Sequence, residues 1–432
     1  MKILLQKGDK KLLNAWAFYD WANSVYSLVI ASAIFPIFYD AIFEIQGINT
    51  LVVFGKEWKS SSLIFGTTAV AFSIVAMISP LLSGVADFLG NKKIFLKFFC
   101  YLGASSTIGL YFFSIEHIYI GLTLYLLALI GFWGSLVFYN SYLPDIAHVD
   151  QHDSISAKGF SLGYIGSVIL LVACLIMIMS QESGEDKVTM MRFSFVLTGV
   201  WWIVFSQYTY LYLPKGNKSD GSLSKSVFYQ GFKEFKAIWI EMQHKPRLKS
   251  YLIAFFVYSM GVQTVMLAAA YFGAEELDWG DTDKTFGLIT SILLIQLVAV
   301  LGAFLTSKLS SKIGNIKALI VINMIWIGIC AWAFFVYTPI QFYITAGVVG
   351  LVMGGVQALS RSTYAKFLPE TDDTTSYFSF YDVSEKIGIV FGMIMFLTMQ
   401  EVTKSMRYSI IFLILFFGVG VLLLKKVPKK EK

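Results

Sequence analysis

The residues best able to do chemistry sit in the most apolar parts of the chain. Asp382, Glu385 and Lys386 fall within the stretch 377–400, and Asp20 and Asn23 fall among Trp16, Tyr19 and Trp21 in the stretch 15–43. A carboxylate inside an apolar span costs about 2.5–3.5 kcal/mol on insertion scales, so it faces protein or water rather than lipid. Asp382 and Lys386 are spaced i, i+4 and can pair on one helix face. Glu385 is then the carboxylate left over, unless another helix supplies a cation. A leftover intramembrane carboxylate is what proton coupling uses. The other arrangement is a closed structural network of all three residues.

Other chemistries find no support. Cys100, Cys174 and Cys330 each lie in an apolar block, where thiols act as small hydrophobes. His148 and His152 are four residues apart but have no further ligands nearby, so no metal site is expected. No nucleophile–base pair, metal cluster or phosphate-cradling glycine loop is evident, which argues against an intramembrane enzyme and against any cofactor. Only 14% of the 432 residues are charged, against about 25% in soluble domains, and 56% are hydrophobic. The net charge of +6 is read as loop lysines and arginines on one membrane face, not as a nucleic-acid patch.

The elements that must position these residues are apolar blocks of about 20 residues, the length needed to cross a bilayer. They run 15–43, 62–86, 94–114, 118–140, 155–180 and 192–213, and then 251–272, 285–306, 316–337, 340–367, 377–400 and 406–424. The pattern is an all-α membrane protein with twelve transmembrane helices: a six-helix half (1–213), a cytoplasmic linker (214–249) and a second six-helix half (250–432). Segment 44–61 is expected as a loop. No cleavable signal is expected, since residues 1–14 are polar and basic and 15–43 is too long for a signal core.

Basic residues orient the chain. Lys2, Lys7, Lys10 and Lys11, then Lys92, Lys93 and Lys97, the linker set, Lys308, Lys312 and Lys317, and the C-terminal lysines all fall on one side when loops alternate. The other side holds acidic runs such as Glu275, Glu276, Asp278, Asp281 and Asp283. By the positive-inside bias both termini are cytoplasmic, in a cytoplasmic (inner) membrane by default. Within the linker, Phe228, Phe232, Phe235, Trp239 and Met242 recur at helical spacing, with Lys233 and Lys236 off the stripe. This reads as an amphipathic helix on the inner membrane face.

The halves echo one another. Gly90-Asn91-Lys92-Lys93 is answered by Gly314-Asn315-Ile316-Lys317, Leu143-Pro144-Asp145 by Leu368-Pro369-Glu370, and Gly163 by Gly388. Parallel six-span repeats of this kind are the symmetry of major facilitator transporters. The turn Ser83-Gly84-Val85-Ala86-Asp87-Phe88-Leu89-Gly90-Asn91-Lys92-Lys93 resembles that superfamily's signature between its second and third spans, with Ser83 in place of the leading glycine and Asn91 in a basic place. The resemblance implies that Asp87, Lys92 and Lys93 latch the cytoplasmic side. Four more specific stretches resemble the autophagy-related vacuolar effluxer-like transporters and their bacterial relatives: Ala15–Ser24 (AWAFYDWANS), Phe138–Ala147 (FYNSYLPDIA), Gly354–Ser362 (GGVQALSRS) and Tyr381–Lys386 (YDVSEK). That resemblance implies an amino-acid-like solute, because the fungal members are associated with releasing amino acids from the vacuole.

Depth follows from about 1.5 Å per helical residue. Asp382 is then roughly 8 Å in, and Glu385 and Lys386 roughly 12–14 Å in, close to the midplane. Asp20 with Arg361 or Lys158 would form an inner gate, joined by Asp87, Asp145 and Asp382; equally, these residues line the inner half of an aqueous cavity. Near mid-depth, Asn23, Tyr26, Tyr164, Gln263 and Gln296 face either another helix or a solute. The expected function is a secondary transporter moving a small polar solute by alternating access, driven by a proton or sodium gradient or by the solute's own. The alternative is a transporter-like scaffold or sensor acting through the linker helix. The expected partners are a small solute, H+ or Na+, and the lipid bilayer, with no obligate protein partner inferred.

Overall fold

The computed structural model describes residues 5–215, 226–280 and 283–430. Lys2, Asp281 and the linker lysines Lys218 and Lys225 lie outside the described residues. Among the described residues, eleven helices are long and apolar enough to cross a membrane: Lys10–Ile45, Ser60–Leu89, Lys92–Phe112, Ile118–Ile146, Val149–Met179, Gly184–Tyr212, Pro246–Glu276, Lys284–Ile313, Asn315–Ala333, Pro339–Phe367 and Met406–Lys426. A further helix of the same length class, Thr374–Thr403, carries Asp382, Glu385 and Lys386 and packs among them as the eleventh of twelve spans. The protein is an all-α, multi-pass membrane protein.

Each span forms for the expected reason, since apolar runs in lipid must satisfy their backbone groups internally. Their ends are set by turn residues. Gly90 takes a left-handed conformation (φ 57°) after the second span, and Gly314 also has a positive φ (84°) after the eighth. The two glycines share a positive φ, at which a side chain would be strained, but not one conformation: ψ is 31° at Gly90 and 153° at Gly314. The first span is not a uniform α-helix. Residues Tyr26–Ile34 form a π-helical segment before the α-helix resumes at Phe35, with Pro36 in its first turn. Such insertions recur at functional sites.

Segment 44–61 differs from its expected loop. It contains a hairpin of β1 (Thr50–Val53) and β2 (Lys56–Lys59), in register from Thr50↔Lys59 to Val53↔Lys56. Its two-residue turn has both Phe54 and Gly55 at positive φ (52° and 72°), the geometry that matches strand twist.

Within the first six spans, the first packs on the fifth and sixth, and the third on the fourth and sixth. Within the last six, the eighth packs on the tenth, and the seventh and ninth on the twelfth. The glycines of the tenth span allow its close approach: a Cβ on Gly350 or Gly354 would meet the carbonyls of Ile295 or Ala299. Between the two sets, the second and fourth spans meet the eleventh, and the fifth meets the eighth and tenth.

The linker helix, Ser226–Gln243, packs along the second span and also reaches the seventh and eleventh. Phe235 stacks on Phe380 at 4.6 Å between ring centroids, and Trp239 lies 5.5 Å from the same ring. Ile238 and Met242 are buried, while Phe232 is exposed; the side chain of Phe228 lies outside the described residues. The expected apolar stripe therefore divides between protein and surroundings instead of facing a membrane surface alone.

Candidate transport site and its closure

Late in the tenth span, Arg361 is 3% exposed and reaches from the second set of helices into the first. Its Nη1 and Nη2 each donate to Asp20 Oδ2 at 3.2 Å. Nη1 also donates to Asn140 Oδ1 (3.2 Å), Nε to Ser156 Oγ (2.9 Å) and Nη2 to the Ser156 carbonyl (3.0 Å). Tyr139 Oη donates to the same Asp20 oxygen at 2.8 Å. Trp16 stacks on Tyr139 and fixes it with an indole hydrogen bond to the Tyr139 carbonyl (2.9 Å). The guanidinium lies 4.2 Å from the centroid of Phe160 and 4.8 Å from that of Trp16. Four spans therefore meet on one arginine, whose charge is paired and whose donors are used. A buried pair needs both conditions to persist. Of the two partners expected for Asp20, the structure selects Arg361. Lys158 instead donates to Asn14 Oδ1 at 2.6 Å near the surface, because its span turns it away from Asp20.

Two further polar clusters lie closer to the side that carries both termini. In one, Asp87 at the end of the second span caps the start of the eleventh, accepting from the backbone N–H groups of Thr375 (3.3 Å) and Ser376 (2.6 Å). An anion is favoured there by the unsatisfied donors and the helix dipole. Lys92 pairs with Asp145 and donates to Thr374 Oγ1 (2.8 Å), which in turn donates to Asp145 Oδ1 (3.2 Å). Lys93 does not join this cluster; it donates to the Leu213 carbonyl (2.7 Å) and ties the third span to the end of the sixth. In the other cluster, Asp153 near the start of the fifth span accepts from Lys366 (2.6 Å), Ser310 (2.7 Å) and Asn315 (2.8 Å). The two clusters correspond by pseudo-symmetry: the start of the eleventh span is held by the second, third and fourth, and the start of the fifth by the eighth, ninth and tenth.

Deeper in the eleventh span, Lys386 pairs with both Asp382 and Glu385 and sits 3.9 Å from the ring centroid of Trp133 of the fourth span. Glu385 Oε1 accepts from Gln263 Nε2 at 2.9 Å. Of the two arrangements open to the three residues, Glu385 left over or all three joined, the structure has all three joined through Lys386. The lysine ammonium reaches both carboxylates at once because it carries three donors. Asp382 belongs to this trio and not to the Arg361 cluster expected of it. At the same level, Tyr164 Oη of the fifth span donates to Gln357 Oε1 of the tenth, whose Nε2 makes a long contact to Met266 Sδ (3.7 Å). Tyr26 is fully buried against Phe132 and Trp202 (5.1 and 5.7 Å between centroids). Asn23 is 1% exposed, with Oδ1 accepting from Ser24. Gln296 is half-buried and makes no side-chain hydrogen bond among the described residues.

Among the described residues, every hydrogen bond crossing between the two six-helix sets lies between the terminal side and mid-depth, the Tyr164–Gln357 bond being the deepest. Sequence reasoning missed Ser156, Asp153, Asn315, Lys366 and Gln357. Asn315 and Gln357 lie inside stretches that stood out in the sequence, whereas nothing distinguishes Asp153 and Lys366 from ordinary loop-proximal charges.

This architecture is that of a major facilitator transporter. The fold matches the fucose:proton symporter FucP in its outward conformation (TM-score 0.70, 14% identity, 97% of this chain and 99% of that one). It also matches a bacterial homologue of the iron transporter ferroportin in an outward-facing state (TM-score 0.65, 10% identity, 97% and 99%). The chain belongs to the family described as vacuole effluxer Atg22-like, which it matches over residues 8–432. Its relatives include the uncharacterized MFS-type transporter YxiO of Bacillus subtilis, 30% identical over 99% of this chain and 97% of that protein. Autophagy-related protein 22 of Kluyveromyces lactis is 24% identical over 95% and 92%.

Proposed function

We propose that the protein carries a small, amino-acid-like solute by alternating access, with its two halves (1–213 and 250–432) rocking about a site near mid-depth. The observation that carries this reading is the Arg361–Asp20 cluster, a buried charge pair that joins the halves and must part for the terminal side to open. By the positive-inside bias that side is cytoplasmic, so the conformation described here is closed to the cytoplasm. Gln263 and Met266 are three residues apart on one face of the seventh span, one touching Glu385 and the other Gln357. An anionic group and an amide are thus presented along one face of the seventh span, a pair suited to the ammonium and carboxylate of one small zwitterion. Asn23, Tyr26, Tyr164 and Gln296 complete the proposed contacts.

The test is counterflow in proteoliposomes together with thermal stability, using a panel of labelled amino acids and dipeptides. Binding to the folded state at a hundred times Kd stabilises it by about 2.7 kcal/mol. Counterflow of at least one amino acid, lost in Arg361→Ala, is the expected result. A flat thermal panel with no counterflow overturns the amino-acid reading.

A further inference from the structure

The linker helix, Ser226–Gln243, touches both halves of the protein. It packs along the second span, and Phe235 and Trp239 lie on Phe380 of the eleventh. Those two spans meet across the boundary between the halves. They part when the terminal side opens, so a helix seated on both is a strap over the seam. Opening then breaks the Phe235–Phe380 stack or lifts the strap from the second span.

Helical residues follow one another at about 100°, which divides the strap into three faces. Phe235, Ile238 and Met242 form the face on the protein. Ala237, Glu241 and His244 form an exposed polar face. Between them, Tyr229, Phe232, Trp239 and Ile240 are all about half exposed or more, and Lys233 and Lys236 stand exposed among them. That much apolar surface on one helix face marks an interaction surface. Aromatic rings interleaved with lysines fit a boundary that is apolar on one side and anionic on the other. The seat of the helix names that boundary. Phe380 lies about 9 Å past the start of the eleventh helix at Thr374, and interfacial helices bury their apolar face by about 5–10 Å. A helix laid along a membrane span turns its far side to lipid. Lysine stems reach from there to the headgroups, where the ammonium needs an anion. Lys245 and Lys249 follow in the chain, so this end of the strap is basic.

We propose that the lysine–aromatic face of the linker helix binds the headgroup phosphate of anionic phospholipids, and that the bound lipid holds the strap over the second and eleventh spans, favouring the conformation closed on the terminal side. The effect on opening rests on the alternating-access reading; the lipid binding does not. A ligand shifts such an equilibrium only by binding one state better. Here the difference lies in the fit. With the terminal side closed, the helix meets the headgroups and Phe380 at one depth and one rotation. Once the two spans part, it keeps one of these contacts and not both.

The experiment uses the full chain in nanodiscs of phosphatidylcholine, alone or mixed with phosphatidylglycerol. Maleimide labelling of Ala157→Cys reports opening, because Ala157 is buried where the fifth span meets the eighth and tenth. The native Cys100, Cys174 and Cys330 are buried as well. Phosphatidylglycerol is expected to slow labelling by about fivefold for each lysine engaged, the size of one basic residue's attraction to an anionic surface. With Lys233→Gln and Lys236→Gln added, the rates in the two bilayers become equal. Both lysines are exposed, so this variant folds, and its melting profile checks that. A benzophenone carried on Tyr229→Cys is expected to crosslink to lipid in native membranes. Slowing that survives in the glutamine variant places the lipid elsewhere and overturns the site. Slowing by soluble glycerol phosphate in phosphatidylcholine discs makes the ligand a free phosphate, and a discrete protein adduct at Tyr229→Cys makes it a protein; either overturns the lipid. Equal, measurable rates in both bilayers overturn the strap's control and leave the rocking intact. No labelling in either bilayer tells against opening on that side, and so against the reading on which the effect rests.

Discussion

Arg361 and Asp20, 341 residues apart in sequence, meet through a single carboxylate oxygen that accepts both terminal nitrogens of the guanidinium at 3.2 Å. Asp20 Oδ2 also accepts from Tyr139, so one atom gathers the first, fourth and tenth spans. Removing one charge leaves the other buried and unpaired, at a cost of about 3–5 kcal/mol. Arg361→Gln or Asp20→Asn alone is expected to lower the melting temperature sharply. The pair Asp20→Asn with Arg361→Gln is expected to recover part of the loss. Thermal unfolding of all four proteins as a double-mutant cycle checks this, and strictly additive losses would remove the pair from any sealing role.

The two latches nearer the terminal side make a separate prediction. Charge-assisted hydrogen bonds contribute about 1.5–3 kcal/mol each, or tenfold and more in a population. Asp87→Asn and Asp153→Asn are each expected to raise the population open on that side, and together to raise it further. Ala157 reports this, being fully buried beside Ala303 and Ala358 where the fifth span meets the eighth and tenth. A cysteine there should resist maleimide in the parent and react in the double variant. Equal labelling rates would show that the latches do not control opening.

Gly159 tests how closely the Arg361–Asp20 pair is packed. A Cβ at this position would collide with Asp20 Oδ2 and approach Arg361 Nη2 at 3.0 Å. A Cβ at Gly388, in the eleventh span, would come no closer than 3.3 Å to any neighbour, the nearest being Ser259 Oγ. Gly159→Ala is expected to cost about 1–3 kcal/mol by overpacking. Gly388→Ala should cost well under half of that. Melting temperatures compared side by side decide it.

The linker helix gives a fourth prediction. Aromatic pairs are worth about 0.5–1.5 kcal/mol beyond area burial, so Phe235→Ala and Phe380→Ala should each destabilise and should not add when combined. Full additivity would mean that the stack at 4.6 Å carries no coupling.

Much of the fold was legible because bilayer length and backbone satisfaction leave few alternatives to apolar helices. The Arg361–Asp20 contact was also within reach, since two opposite charges entering from one side at similar depth have few other partners. Rotation about each helix was not legible. Whether Lys158 faces Asp20 or Asn14, and whether Lys386 reaches one carboxylate or two, depends on helix packing that no spacing rule encodes. The hairpin Thr50–Lys59 was missed because its turn, Phe54-Gly55, lacks the asparagine or aspartate that usually marks such a turn.

The two corresponding latches and the central charge pair also bear on leakage. A membrane that stores a gradient loses it through any carrier that flickers open while empty. Three separate fastenings, on different helix pairs, turn an accidental opening into a coincidence of three independent failures. If each is broken for about a tenth of the time, as 1.4 kcal/mol of strength implies, all three are broken together about a thousandth of the time. An idle copy then leaks little of any gradient across its membrane, and the total loss grows only in proportion to the number of copies.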